Sequence, residues 1–79
     1  MGEFAIRVRS VKQVQAFVDL ATSCPFRIFV GDSRHEVNGK SFMEMFSLNF
    51  GDPLVVRAEC SEEELVRLAQ AVTAITCPL

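Results

Sequence analysis

Phe4, Ile6 and Val8 alternate with Ala5, Arg7 and Arg9, the two-residue period of a half-buried strand. The period then changes. Val11, Val14, Phe17, Val18 and Ala21 fall at helical spacing on one face, while Lys12, Gln15 and Asp19 face away. Ser10 stands ahead of this helix with Gln13 three residues on, a capping-box pair. The strand therefore runs into the helix with almost no loop between them.

After Pro25, Phe26, Ile28 and Val30 alternate as a second strand, and Gly31-Asp32-Ser33 turns the chain. His35-Glu36-Val37 is short enough to form only an edge strand, closed by Asn38-Gly39. Ser41 and Glu44 repeat the capping-box pattern ahead of a short apolar helix that carries Phe42, Met43, Met45, Phe46 and Leu48. A helix this short cannot bury its whole circumference, so part of that cluster is expected at the surface. Gly51-Asp52-Pro53 is a turn, and the Val-rich stretch from Leu54 to Glu59 is a fourth strand. Ser61 and Glu64 form the third capping box, with Glu62, Glu63 and Glu64 where the helix dipole favours them. Leu65, Leu68, Ala69, Val72 and Ile75 line one face of the closing helix, which Pro78 ends. The order is βαββαβα. It predicts one α+β domain over residues 1–79, with a four-stranded sheet and three helices packed on one sheet face.

Composition narrows the function classes. Seventy-nine residues leave no room for a second core. Seven Phe and no Trp or Tyr predict a core filled by rings that need no hydrogen-bond partner. The net charge of −2 provides no excess of cations to grip nucleic acid or an anionic membrane. No apolar run approaches the roughly 20 residues that span a bilayer, and the first residues lack the pattern of a secretory leader. Cys24, Cys60 and Cys77 are odd in number and have no Cys-x-x-Cys spacing. They are read as reduced packing residues in the cytoplasm, with a reactive thiol as the alternative. Neither a metal site nor a cofactor is expected from such a set.

The segment Val37-Asn38-Gly39-Lys40-Ser41-Phe42-Met43-Glu44-Met45-Phe46-Ser47-Leu48 is similar to the Lys-Ser-[Ile/Leu]-Met-x-[Val/Leu]-Met-Ser-Leu-Gly stretch of HPr. HPr is the histidine-containing phosphocarrier of the bacterial sugar phosphotransferase system. Phe17-Val18, Phe26 to Val30, Gly51-Asp52 ahead of Leu54-Val55-Val56, and the acidic-started final helix match as well. From Ser10 onward the comparison needs no gap. The resemblance implies the HPr open-faced β-sandwich, with an antiparallel sheet.

The resemblance breaks at the start of the first helix. The family places Gly-Leu-His-x-Arg-Pro-Ala there, and its histidine is both phosphate acceptor and helix cap. That histidine falls on Ser10, the arginine on Lys12 and the proline on Gln13, and the loop into the motif is shorter here. Neutral imidazole is both a nucleophile and a good leaving group near neutral pH. A serine hydroxyl is neither without an activating base. The remaining histidine, His35, stands beside the Asp32–Glu36 turn. It is expected on the surface of an edge strand, at the opposite end of the second strand from the acceptor position.

These readings imply a member of the HPr-like family without its phospho-histidine, similar in kind to the catabolite-repression HPr-like protein. Such a chain is not an enzyme; it is a non-catalytic protein-binding or regulatory module. Ser41 falls at the family's regulatory serine, against the plain reading of a capping serine. Phe42, Met43 and Phe46 fall on the family's docking face, against a reading as core. Arg7, Arg9 and Lys12 rim the former acceptor position or form an ordinary solvated edge. The partner is a protein, and the apolar middle helix permits a homodimer. Two alternatives stand beside this: a working phosphocarrier using Ser10 or His35, and an HPr-fold descendant with unrelated partners.

Overall fold

A computed structural model describes residues 2–78, with the backbone alone for residues 77 and 78. The elements are β1 (Gly2–Arg7), α1 (Val11–Thr22), β2 (Ile28–Gly31), β3 (Glu36–Asn38), α2 (Phe42–Met45), β4 (Leu54–Ala58), α3 (Glu62–Ile75) and β5 (Cys77–Pro78). The four expected strands form an antiparallel sheet in the order β3-β2-β4-β1, and β5 adds a two-residue margin beside β1. This last strand was not expected. Pro78 lies past the end of α3 and pairs with Ile6.

Alternation along the strands decides which side faces the helices. Ile6, Ile28, Val30, Val37, Leu54, Val56 and Ala58 point to one side and are buried. α1 and α3 pack against each other over that side, α3 also rests on β1, and α2 bridges α1 and β3. Val14, Phe17, Val18 and Ala21 of α1 and Leu68 and Val72 of α3 close the core, together with Met45 and Leu48. Cys24 and Cys60 pack at its margin, whereas the Cys77 side chain lies outside the described residues. Val11 departs from expectation. It is 62% exposed, because the first turn of α1 overhangs the core.

The open side of the sheet carries a polar lattice. Glu3, Arg57, Phe29 and Asn38 share one row across β1, β4, β2 and β3. Arg57 donates to both oxygens of Glu36 at 2.6 and 3.0 Å and lies 4.6 Å above the Phe29 ring. This fork holds the Glu36 carboxyl below its usual range and raises Arg57. Gly39 is buried where the chain leaves β3; a Cβ there would meet Ile28 Cγ2 at 3.0 Å and Ile28 O at 3.2 Å.

Of the three capping pairs, only Ser61–Glu64 is reciprocal. The cap hydroxyls of Ser10 and Ser41 accept the third-residue amide as expected. Gln13, however, reaches back to the Arg9 amide, and Glu44 reaches to the Asn38 amide. Both side chains thus bond an amide upstream of the cap, and the Ser41 N–H itself donates to Asn38 O.

Phe17 is fully buried at the centre of this single core. Phe17→Ala is expected to cost about 3–5 kcal/mol, against a total stability of roughly 5 kcal/mol at the low end for a domain of this size. Urea denaturation should find the variant largely unfolded in water.

Candidate functional site

Because β1 and β2 both run antiparallel to β4, they are parallel to each other, and their carboxyl ends lie at one end of the sheet. The opening of α1, the β2–β3 turn and the loop into β4 therefore gather there. This corrects the expectation for His35. It lies at the same end of the sheet as Ser10, with β4 between the two strands that lead to them. Two contacts fasten the assembly to the 51–52 turn. Arg7 Nη1 donates to Gly51 O at 3.4 Å, and Ser33 Oγ donates to Asp52 Oδ2 at 2.9 Å.

Ser10 holds the extended backbone of a helix cap, and its Oγ accepts the Gln13 amide at 3.2 Å. Ser10, Lys12, Gln13, Ala16 and Ile75 line one shallow concavity. None of those side chains is a carboxylate or an imidazole able to take the serine proton. The expected basic cluster divides: Arg7 is half-buried and structural, while Arg9 and Lys12 are exposed.

The apolar cluster around α2 divides too. The helix was expected to run as far as Leu48, yet it is a single turn. Beyond it the amides of Phe46, Ser47 and Leu48 reach carbonyls three residues back, so the chain winds more tightly. Met45 and Leu48 turn inward, whereas Met43 is 80% and Phe46 42% exposed. Phe42 is half-buried and packs edge-on against Phe46 at 4.8 Å between centroids, and Phe46 meets Phe50 at 6.2 Å. Phe50 lies past the helical period, so no local pattern in the sequence points to it. Ser41 caps this turn, its Oγ accepting the Glu44 amide at 3.3 Å.

The residue that orders this end is Asp32. Its side chain is only 2% exposed. Oδ2 accepts the Asn49 amide at 2.8 Å, and Oδ1 accepts those of His35 and Arg34 at 2.9 and 2.8 Å. These backbone donors, Asn49 first, hold its carboxyl far below the usual range. The turn Gly31-Asp32-Ser33 was legible as a turn; the reach of its carboxylate to Asn49 was not. His35 is exposed at its ring, yet both nitrogens are engaged. Nε2 lies 3.0 Å from Ser47 Oγ and Nδ1 3.3 Å from Asp32 Oδ1. Serine, histidine and aspartate stand here in the order of a nucleophilic relay. The Ser47 hydroxyl, however, donates to Glu44 O at 2.7 Å, so its proton points away from the imidazole. Among the described residues, no group of three or more His, Cys, Asp or Glu is placed to hold a metal ion, and no helix is long and apolar enough to cross a membrane.

Comparison with known proteins identifies the architecture. The chain is similar to HPr-C-His from Thermoanaerobacter tengcongensis, with 25% identity and a TM-score of 0.79 over 96% of this chain and 91% of the other. It is similar in fold to the phosphocarrier protein HPr of Bacillus anthracis, at 22% identity and a TM-score of 0.72 over 95% of each chain. Crh, the catabolite repression protein of Bacillus subtilis, aligns at 24% identity with a TM-score of 0.65 over 90% of this chain and 86% of its own. No family model matches the sequence, and no curated protein matches it. The chain is HPr-like, an α+β open-faced sandwich that shares this fold over most of its length.

Asp32 gives this end of the molecule a pH dependence with a definite sign. Its folded carboxyl binds protons less readily than the unfolded one, whose ordinary value is 3.8. The stability it contributes is intact above that value and drains away as pH falls below it. Asp32→Asn should therefore lower stability at neutral pH and flatten the loss in acid. Urea midpoints at about pH 6 and about pH 3 measure both effects. Glu36 and Glu64, whose carboxyls are also depressed, leave a residual slope.

Proposed function

We propose that this HPr-like chain is a non-catalytic, cytoplasmic protein-binding module, with docking on α2 in place of phosphate transfer. The observation that carries the reading is the state of the candidate acceptors. The residue capping α1 is Ser10, whose hydroxyl serves the helix backbone, and the imidazole of His35 has a partner at each nitrogen. A phosphoacceptor needs a nitrogen lone pair open to the incoming phosphorus, and a serine ester holds its phosphate instead of passing it on. Lys12, at the position the resemblance gives to arginine, offers a point charge and no two-pronged grip on phosphate.

What supports docking is the exposure of Met43 and Phe46 beside the half-buried Phe42. Large apolar side chains presented to water on a short rigid turn suit a protein surface. Ser41 caps that turn, so phosphate on its Oγ would add up to about −2 of charge beside the aromatic rings and next to Glu44. We assign it the regulatory role: modification opposes apolar docking. Crh, similar in fold, is described as an intertwined dimer with a swapped domain, so a second copy of the chain is one candidate partner.

Incubation with phosphoenolpyruvate and the general phosphotransferase enzyme should leave the chain unlabelled; an acid-labile phosphate on His35 defeats the proposal. Met43→Asp should weaken capture of the partner from the source cytosol by roughly tenfold or more. The control Val66→Asp, on the exposed face of α3, should leave capture unchanged. Equal loss in both variants would argue against α2 as the docking element. ATP and the HPr serine kinase should place phosphate on Ser41, read by peptide mapping, and an unmodified Ser41 removes the regulatory part.

A further inference from the structure

We infer that the outer face of α1 and α3 docks a second copy of this chain, with the two α1 helices antiparallel about a two-fold axis near Ala16. Two lines of residues meet across the helix layer. Ala16, Leu20 and Cys24 of α1 face Ile75, Ala71 and Leu68 of α3, each three or four apart in sequence. The two helices therefore run in opposite directions along one seam. The seam is left open toward solvent. A concavity of about 370 Å³ reaches Lys12 at one end, and an apolar groove of about 250 Å³ lies over Leu20, Phe26 and Leu68 at the other. Only the small Ala16 and Ala71 stand near the middle, so another backbone can approach closely there.

The charges on this face identify the occupant. Lys12 and Asp19 are exposed and lie about two helical turns apart, so they share the outward ridge of α1 with Ala16 between them. Both stand against the helix dipole. The cation is in the first turn and the carboxylate in the last, whereas α3 opens on three glutamates as the dipole favours. Neither enters an ion pair among the described residues; the Asp19 carboxylate accepts the Gln15 side-chain amide at 3.0 Å. An antiparallel copy supplies what each lacks. With the axis near Ala16, Lys12 of each molecule comes to Asp19 of the other, twice by symmetry, so one patch carries both halves of the match. The charges of α3 do not oppose this approach, because Arg67 donates to Glu63 at 2.8 Å and Glu64 is held in the Ser61 cap. α2 lies on the other flank of α1, beside β3. The pairing therefore leaves Met43 outside and does not depend on docking at α2.

Sedimentation velocity of the whole chain, from about 10 μM to about 1 mM, should show a monomer–dimer equilibrium that weakens as salt is added. Lys12→Glu sets like charges against each other at both contacts and should raise the dimer dissociation constant by about tenfold or more. Asp19→Lys should do the same. The double variant, Lys12→Glu with Asp19→Lys, restores opposite charges across the axis and should return the constant to within about threefold of the native value. Damage to the fold by either single change would not be rescued in this way. Met43→Asp, on α2, should leave the dimer as it is. A chain that stays monomeric throughout the range overturns the inference. So does a dimer indifferent to Lys12→Glu, a double variant that fails to recover, or a dimer lost on Met43→Asp, which would put the second copy on α2.

Discussion

A single buried carboxylate holds the working end of this molecule together. The amides it takes come from two segments: its own turn, through Arg34 and His35, and the chain beyond α2, through Asn49. A carboxylate this enclosed needs donors on both oxygens, because an unsatisfied charge in that position costs far more than any single contact returns. Satisfying it fixes where the chain leaves α2, hence how Phe46 and Phe50 meet, hence which face of α2 remains outside. Position of the surface and ionisation of Asp32 are therefore one constraint.

Around that constraint, the helix caps decide what chemistry the end can perform. In an HPr-like sandwich the free amides of α1 face solvent where an anion is welcome. Binding an anion and relaying a phosphoryl group are separate demands, and the second needs a side chain that leaves as readily as it attacks. Ser10 gives its oxygen to the helix, and His35 gives its ring to the turn and to Ser47. Neither side chain belongs to the core: among the described residues, the buried hydrophobic cluster forms without them.

Much of this was legible in the sequence. Alternation in Phe4–Val8 and Phe26–Val30, the helical spacing of Val14, Phe17, Val18 and Ala21, and the Ser-x-x-Glu or Gln starts fixed the order of elements, because each signal is local. The split of the α2 cluster followed from geometry alone, since one short turn cannot hide five large side chains. What escaped were the long-range terms. Val11 fits the helical stripe, yet it overhangs the core, and only the length of the sheet beneath shows that. The side-chain partners of Gln13 and Glu44 lie upstream of the caps, at the Arg9 and Asn38 amides, a choice that the spacing alone does not specify. The location of His35 depended on strand direction. No pattern within residues 26–37 reveals that β1 and β2 run the same way.

The margins of the sheet carry a consequence of their own. An open sheet presents unpaired amides and carbonyls along both outer strands, and such rows invite foreign chains to add on. Here one border is β3, three residues long with the polar Glu36 and Asn38 at its ends, and the other is β1, of which β5 covers Ile6 and Arg7 and ends in a proline that has no amide hydrogen. A chain that leaves Met43 and Phe46 uncovered thus meets an intruding strand with a very short border on one side and a partly covered one on the other.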